Sequence, residues 1–251
     1  MNYVNLDIAE GVGTVEFFTD QSNSLPGDIL KKLANTITEA GTNPEVKVII
    51  LKSGGDRTFC AGASFDELIA VDSAENGHAF FMGFANVINA MRKCPKFIIG
   101  RIQGKAVGGG IGLASSVDYC FATKFAAIKL SELALGIGPF VVGPAIERKV
   151  GLSAMSQMGI NPDLFYSPEW AKEKGLFAEV FEDALVMDNA VNDLAKKLAK
   201  YNPEAMADLK ATFWRGTEDW DELLAKRAKT SGKLVLSEFT RDFIQQFKSK
   251  T

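Results

Sequence analysis

A cluster of glycines constrains this chain more than any other feature of its sequence. Glycine fills four of the five positions at residues 108–112, and an apolar segment lies on either side. A turn without side chains lets a ligand approach backbone N–H groups closely, and N–H groups at the start of a helix attract negative charge. We therefore expect residues 107–114 to stabilise an anion with backbone donors.

The segments around the cluster predict a strand, a glycine turn, a short helix and a second strand. The strands are predicted at residues 96–102 and 117–122, which leaves only residues 113–116 for the helix. A dinucleotide-binding turn is the main alternative, since Glu132 lies at a suitable distance downstream. It fails because Leu113 replaces the third glycine of that motif and the crossover helix is too short. A Walker loop is favoured even less, because no Gly-Lys-Ser or Gly-Lys-Thr follows.

Strands and helices alternate before the cluster, and helices dominate after it. Strands are predicted at residues 13–18 and 46–52 around a helix at 28–40, and another helix at 79–92. This alternation favours an α/β fold with a largely parallel sheet. From residue 203 to residue 247 the pattern is mostly helical, and we expect these helices to cover the active site or a neighbouring subunit.

Composition excludes several classes of partner. The 251 residues carry a net charge of −3 with dispersed basic residues, so a nucleic-acid groove has no electrostatic support. The N-terminus lacks an apolar run of signal-peptide length, and no run of eighteen apolar residues occurs, which predicts a cytoplasmic protein without a membrane span.

The cysteines and the single histidine narrow the chemistry. Cys60, Cys94 and Cys120 have no metal-ligand spacing, so we expect buried thiols in a reducing compartment and no metal site. His78 is the only histidine, and its place near the start of a helical pattern predicts a helix-surface residue. A catalytic proton carrier is therefore expected to be a carboxylate.

A second turn of small residues follows another strand. Ala61, Gly62 and Ala63 again leave the backbone open just before a helix. Two such turns can place two N–H donors around one oxygen atom.

The two turns belong to a series of segments that spans most of the chain in a fixed order and spacing. These are residues 23–25, 43–49, 59–63, 104–110 and 131–136. In the order and spacing of these segments, the chain resembles the crotonase superfamily of enoyl-CoA hydratases and isomerases.

The resemblance implies an α/β spiral of ββα turns with a helical C-terminal extension. An acyl-CoA-binding core is expected over residues 1–195 and a helical trimerisation region over residues 196–251. It also implies a homotrimer or a dimer of trimers. The substrate is expected to be an acyl-CoA, so that coenzyme A belongs to the substrate and no separate cofactor is required.

By the same resemblance, the backbone N–H groups of Ala63 and Gly109 form an oxyanion hole for the thioester oxygen. Further substrate contacts are expected along both turns, at Ala61, Gly62, Ser64, Phe65, Asp66, Gly108, Gly110 and Gly112. Ser64 replaces an Asp common in the family, and Asp66 replaces a Lys often found near the CoA. Lys52 and Arg57 are candidates for the nucleotide end, although solvated surface charges are the alternative.

The acid/base residues of the family are only half present. Hydratases place two glutamates against a water molecule; the first position falls on Gly112 and the second on Glu132. One carboxylate is enough to carry a proton from C2 to C4 of a 3-enoyl-CoA, and an apolar cleft would raise its pKa toward neutrality. The leading hypothesis is Δ3 to Δ2 double-bond isomerisation by Glu132, and residues 131–140 also resemble the isomerases more than the hydratases.

Other reactions stay open at this stage. A hydratase could use Glu67 or Glu147 as a substitute acid, and the same scaffold could host a decarboxylase, a thioester hydrolase or a non-catalytic acyl-CoA binder. The shape of the pocket is expected to depend on four aromatic residues that could equally be core residues. These are Phe80, Phe81, Phe84 and Phe140.

Overall fold

The computed structural model describes residues 1–248. Strands and helices alternate along the chain, as the sequence predicts, and helices alone follow the last strand. The elements in chain order are β1 (Tyr3–Ala9), β2 (Val12–Phe18), β3 (Ser24–Leu25), α1 (Gly27–Thr42), β4 (Val48–Ser53), β5 (Thr58–Cys60), β6 (Gly62–Ala63), α2 (Phe65–Ile69), α3 (Ala74–Lys93), β7 (Ile98–Ile102), β8 (Lys105–Val107), α4 (Gly109–Ser116), β9 (Tyr119–Thr123), β10 (Ile128–Lys129), the 3-10 helix η1 (Glu132–Leu135), α5 (Gly143–Ile160), α6 (Pro168–Glu173), β11 (Glu179–Phe181), α7 (Ala184–Leu198), α8 (Pro203–Phe213), α9 (Trp220–Leu234) and α10 (Glu238–Lys248).

The largest sheet has six strands in the order β1-β2-β4-β7-β9-β11. Only the β1–β2 hairpin is antiparallel, and every later neighbour is parallel. The central strands are almost entirely buried; β7, for example, is buried along its whole length. Burial on both faces is the usual state of parallel strands, and their runs of β-branched residues fit it. The predicted α/β class is confirmed.

Two smaller sheets complete a spiral. One contains β10, β8 and β5, and the other contains β3 and β6. Successive passes of the chain give one strand to the large sheet, a short strand to a small sheet and then a helix. The pass through β7, β8 and α4 is the clearest case. The structure therefore has the spiral of ββα turns that the family resemblance implies.

Tertiary contacts shift several predicted boundaries. α4 begins at Gly109 rather than at residue 113, because all eight of its residues are buried and packing offsets the poor helix propensity of glycine. α3 begins five residues earlier than predicted, where the Ser73 hydroxyl accepts a hydrogen bond from the Asn76 N–H group and caps the helix. The predicted boundary after residue 195 falls inside α7. Ala195 is buried against the large sheet there, so the helical extension begins with α8.

A buried ion pair fixes the first helix of this extension to the large sheet. The Lys210 ammonium lies 2.8 Å from the Asp118 carboxylate, and both side chains are less than a tenth exposed. Asp118 also accepts hydrogen bonds from the Ile98 backbone N–H group and from the Trp214 indole N–H group. A buried charge pair is tolerated when its remaining hydrogen-bonding capacity is satisfied in this way.

α9 reaches the core through a very close crossing with α3. A Cβ atom on Gly232 would lie 2.5 Å from the backbone nitrogen of His78. His78 itself is in α3, as predicted, and is partly buried beside this crossing. The three cysteines are buried and free, also as predicted. Within residues 1–248, no helix has the length and apolar composition required to cross a membrane.

Adding a methyl group at this crossing should destabilise the protein. We expect Gly232→Ala to lower the free energy of unfolding by about 1–3 kcal/mol, because the new Cβ atom meets backbone that cannot rotate away. Gly159→Ala is the matched control, since its Cβ atom would meet only Pro139 Cγ at 4.0 Å. Its effect should be stabilising and below about 1 kcal/mol, from helix propensity alone. Urea titrations measure both, and equal effects of the two substitutions would contradict the role given to the crossing.

Candidate active site

The parallel pairing of β5, β8 and β10 builds the site. β8 lies between the other two strands, and Ala106 is aligned with Cys60 on one side and with Ile128 on the other. Parallel strands end at the same edge of a sheet, so the segments that leave them lie side by side. A hydrogen bond of 2.9 Å from the Gly108 N–H group to the Lys129 carbonyl continues the pairing beyond the strands.

These segments surround a cavity of about 470 Å³. Seven of the site residues predicted from the sequence lie on its wall: Ala61, Gly62, Ala63, Phe65, Gly108, Gly109 and Glu132. The four aromatic residues predicted to shape the pocket, Phe80, Phe81, Phe84 and Phe140, line it as well. The wall is therefore mainly apolar, with exposed backbone at the two glycine turns.

The two glycine turns touch each other. A Cβ atom on Gly62 would lie 3.6 Å from the backbone nitrogen of Gly109 and 3.1 Å from the Val107 carbonyl oxygen. Gly62 has φ +96°, a conformation that favours glycine. Gly109 is the first residue of α4, where backbone N–H groups have no partner within the helix. The residues predicted to supply the two donors, Ala63 and Gly109, thus lie on adjoining parts of one wall.

Four predicted contact residues lie away from the wall. Ser64 is buried and caps α2, with its hydroxyl accepting a hydrogen bond from the Glu67 N–H group. Asp66 is exposed and accepts a hydrogen bond of 3.4 Å from Gln21. Gly110 packs against the carbonyl oxygen of Cys60, and Gly112 packs against Val142. Ser64, Gly110 and Gly112 therefore support the turns from behind, whereas Asp66 lies at the surface.

Glu132 stands over the glycine cluster. It opens η1, and a Cβ atom on Gly108 would lie only 2.9 Å from its carboxyl Oε1. Gly108 has φ +52°, so glycine is favoured there by backbone conformation and by the nearby carboxyl group. The residue as a whole is partly exposed, but Oε2 is closed off from solvent and has no hydrogen-bond partner among the described residues.

Burial raises the pKa of Glu132 to about 7. Backbone hydrogen bonds at Glu132 and Ser131 stabilise the carboxylate and offset part of this rise. Among the described residues that line the cavity, Glu132 is the only ionisable one. A carboxyl group with a pKa near neutrality can both accept and return a proton under physiological conditions.

The other candidate charges lie elsewhere. Lys52 forms an ion pair of 2.9 Å with Glu16, and Arg57 is exposed in the loop before β5. Glu67 accepts a hydrogen bond from the Gly27 N–H group, and Glu147 is exposed on α5. The wall of the cavity includes none of these four side chains. Within residues 1–248, no group of three or more His, Cys, Asp or Glu side chains is placed to hold a metal ion.

Sequence reasoning missed several wall residues that come from distant parts of the chain. Ser231 of α9 and Phe243 of α10 line the cavity. Val142 lies opposite Gly112, and Gln21 and Ser24 lie near the α2 side. The helical pattern after residue 203 indicates that these helices cover the active site or a neighbouring subunit. It gives no register against η1 or α3, so the individual residues were not predictable.

Comparisons with known proteins identify the family of this chain. The family described as Enoyl-CoA hydratase/isomerase matches residues 7–248. A probable enoyl-CoA hydratase of Bacillus subtilis is 28% identical over 100% of this chain and 97% of its own length. The peroxisomal Δ(3,5)-Δ(2,4)-dienoyl-CoA isomerase of Arabidopsis thaliana is 28% identical over 78% of this chain and 74% of its own.

Solved structures show the same fold. The enoyl-CoA hydratase of Bacillus halodurans superposes with a TM-score of 0.89 at 18% identity, covering 97% of this chain and 99% of that one. The chain belongs to the enoyl-CoA hydratase/isomerase family, and it is an acyl-CoA enzyme of that family. The trimeric assembly implied by the sequence resemblance stays a prediction.

The raised pKa of Glu132 predicts a pH dependence of stability. Between the ordinary pKa near 4.5 and the folded value of about 7, the unfolded chain is ionised while the folded carboxyl group keeps its proton. The wild type should therefore lose stability as the pH rises through this window, by on the order of 3 kcal/mol. Glu132→Gln has no such proton, so its stability relative to the wild type should rise over the same window and level off above pH 7.

Unfolding free energies of the two proteins between pH 4 and pH 9 test this expectation. Glu147→Gln is the matched control, because Glu147 is exposed. A difference between Glu132→Gln and the wild type that does not change with pH would show that Glu132 titrates at its ordinary pKa.

Proposed function

We propose that this enzyme moves the double bond of a 3-enoyl-CoA to the 2,3 position, with Glu132 as its single acid/base. The observation that carries the proposal is the position of Glu132. It is the one ionisable side chain among the described residues of an apolar cavity wall, and it stands over the turn that holds Gly109.

The proposed reaction has two proton transfers and one charged intermediate. Glu132 takes a proton from C2 of the substrate, and the electron pair moves into the thioester carbonyl to give an enolate. The N–H groups of Ala63 and Gly109 stabilise the enolate oxygen, and loss of one such donor typically costs about 10²- to 10³-fold in rate. Glu132 then returns the proton to C4. No electrons are exchanged with another molecule, so the reaction requires no cofactor beyond the CoA of the substrate.

Packing at Gly112 supports isomerisation over hydration. A Cβ atom on Gly112 would lie 2.5 Å from Val142 Cγ1, and Val142 is 4% exposed. A glutamate at this position, as the hydratases of the family carry, would require Val142 to move. Glu67 and Glu147 lie off the cavity wall, which leaves no described substitute for the missing acid. Relatives include enzymes named as hydratases as well as one named as an isomerase, so the choice rests on this packing and on Glu132.

The wall also favours an uncharged acyl group. Beside Glu132, its polar side chains are Gln21, Ser24, Ser131 and Ser231, and no Lys or Arg is among the described residues that line it. A second carboxylate on the acyl chain would be buried without a cation, which costs several kcal/mol. We infer that the acyl group is an apolar chain held by the phenylalanines.

Direct assay of Glu132→Gln tests the reaction. With 3-octenoyl-CoA, the wild type should form 2-octenoyl-CoA, and Glu132→Gln should lower kcat by about 10²- to 10⁴-fold because the base is lost. The affinity for the substrate should change little, since Gln has the size of Glu. Glu67→Gln and Glu147→Gln are matched controls and should keep the wild-type rate.

The same proteins incubated with 2-octenoyl-CoA distinguish the competing reactions. Under the proposal, the wild type forms no 3-hydroxyacyl-CoA above the uncatalysed rate. Hydration that persists in Glu132→Gln would exclude the single-base mechanism, and hydration lost in Glu67→Gln or Glu147→Gln would identify a substitute acid.

Substrate charge gives a second test of the proposed site. A 3-enoyl-CoA of the same chain length with a terminal carboxylate should have a kcat/KM at least about 10²-fold below that of 3-octenoyl-CoA, because its charge is buried unpaired. The methyl ester of that compound is the size control and should regain most of the activity. Equal kcat/KM values for the acid and the ester would contradict an uncharged acyl pocket.

A further inference from the structure

α10 is docked on the turn that carries Glu132. The Thr240 hydroxyl, which is buried, donates a hydrogen bond of 2.8 Å to the carbonyl oxygen of Leu135, the last residue of η1. The same hydroxyl lies 3.3 Å from the Leu234 carbonyl oxygen of α9 and 3.1 Å from the Ser237 hydroxyl. The shortest of these contacts joins the C-terminal helix directly to the Glu132 turn.

The turn itself has few bonds of its own. The Ile137 N–H group donates to the Glu132 carbonyl at 3.1 Å, and the Gly136 N–H group donates to the Leu133 carbonyl at 2.9 Å. A 3-10 turn of four residues has poorer hydrogen-bond geometry than an α-helix, so contacts from outside the turn contribute more to its position. The Leu135 carbonyl is the point at which a donor from another element holds its end.

The helix and the turn are shaped for this contact. Gly136 has φ +75°, and a Cβ atom there would lie 2.5 Å from the Phe239 ring and 2.8 Å from the Thr240 hydroxyl. Next to this contact, Val235 packs with Leu68 and Ile137 in a small apolar cluster, against which Leu135 also packs. One turn beyond Thr240, Phe243 lines the cavity. α10 therefore contacts η1 through Thr240 and contributes Phe243 to the cavity wall.

We propose that Thr240 is a positioning residue for Glu132. Its hydroxyl holds the Leu135 carbonyl, which fixes η1 so that the carboxyl group stays over Gly108 and away from water. The proposal rests on the proposed function only in that Glu132 is the acid/base. The family resemblance places α10 in the trimerisation region over residues 196–251. The contact between Thr240 and Leu135 also connects α10 to the candidate active site of the same chain.

Charged neighbours do not account for the state of Glu132. The charged residues of α10 nearest to Thr240 are Glu238, Arg241 and Asp242, and all three are exposed. The other described residues on the cavity wall carry no charge at neutral pH. Loosening of η1 should therefore act on Glu132 through hydration, which lowers the pKa of a buried carboxyl group toward its ordinary value.

Three variants test the role of the hydroxyl. Thr240→Val keeps the shape and removes the donor, Thr240→Ser keeps the donor, and Thr212→Val removes an exposed hydroxyl bonded within α8. For Thr240→Val we expect kcat with 3-octenoyl-CoA to fall about 10- to 100-fold, since small misplacement of a reacting group has effects of this size. KM should stay within a few-fold of the wild type. Thr240→Ser should restore the rate, and Thr212→Val should match the wild type.

An infrared titration of the Glu132 carboxyl band gives a readout that is independent of activity. The band is isolated by subtracting the spectrum of Glu132→Gln. In Thr240→Val its pKa should fall from about 7 toward the ordinary value, and in Thr240→Ser it should not change. An unchanged pKa and kcat in Thr240→Val, or failure of Thr240→Ser to restore them, would overturn the proposal.

The two proposals fail in different ways. If Glu132→Gln keeps full isomerase activity, the proposed function is wrong, and the infrared titration still measures whether Thr240 positions the carboxyl group. If Thr240→Val does not fold, Thr240→Cys replaces it, because a thiol of similar size is a weak donor. An intermediate kcat and pKa are then expected, and wild-type values would overturn the positioning role.

Discussion

The parallel pairing of three very short strands is the constraint on which the site depends. β5, β8 and β10 contribute two or three residues each, but they point the segments that follow them toward one edge. At that edge the backbones are too close for side chains, and a Cβ atom on Gly110 would overlap the Cys60 carbonyl oxygen. The bare N–H groups at the cavity are therefore a consequence of strand packing as much as of ligand recognition.

The same packing determines the state of the carboxyl group. Glu132 follows β10 after a short connection, and its carboxyl group lies beside Gly108. The lack of a side chain on Gly108 gives the carboxyl group room to lie against the backbone. Its Oε2 has no partner among the described residues, and burying a carboxylate oxygen without a hydrogen bond is costly. This cost is avoided below near-neutral pH, because the buried carboxyl group of Glu132 stays protonated there. The energetic penalty and the capacity for proton transfer thus have a single physical cause, which is burial.

The sequence allowed prediction of features that depend on neighbouring residues. It did not allow prediction of contacts between elements that are far apart in the chain. The two glycine turns were found because small residues directly follow predicted strands, Glu132 was singled out by the family resemblance at residues 131–136, and the helical character of the chain after residue 203 was found from its periodicity. The start of α4 was placed too late, because burial offsets the poor helix propensity of its glycines. The position of Ser231 on the cavity wall and the contact of Thr240 with η1 could not be predicted, because helical periodicity does not reveal which distant turn a helix contacts.

The packing of Val142 against Gly112 bears on the proposed choice between isomerisation and hydration. Val142 fills the space that a side chain at position 112 would occupy, so the missing glutamate is matched by an apolar residue from another element. A cavity closed in this way loses a site for an activated water molecule and gains apolar contact area. Under the proposed mechanism that exchange is favourable, because an enolate that shares its cavity with few water molecules is protonated at C4 by the one group that holds the proton, Glu132.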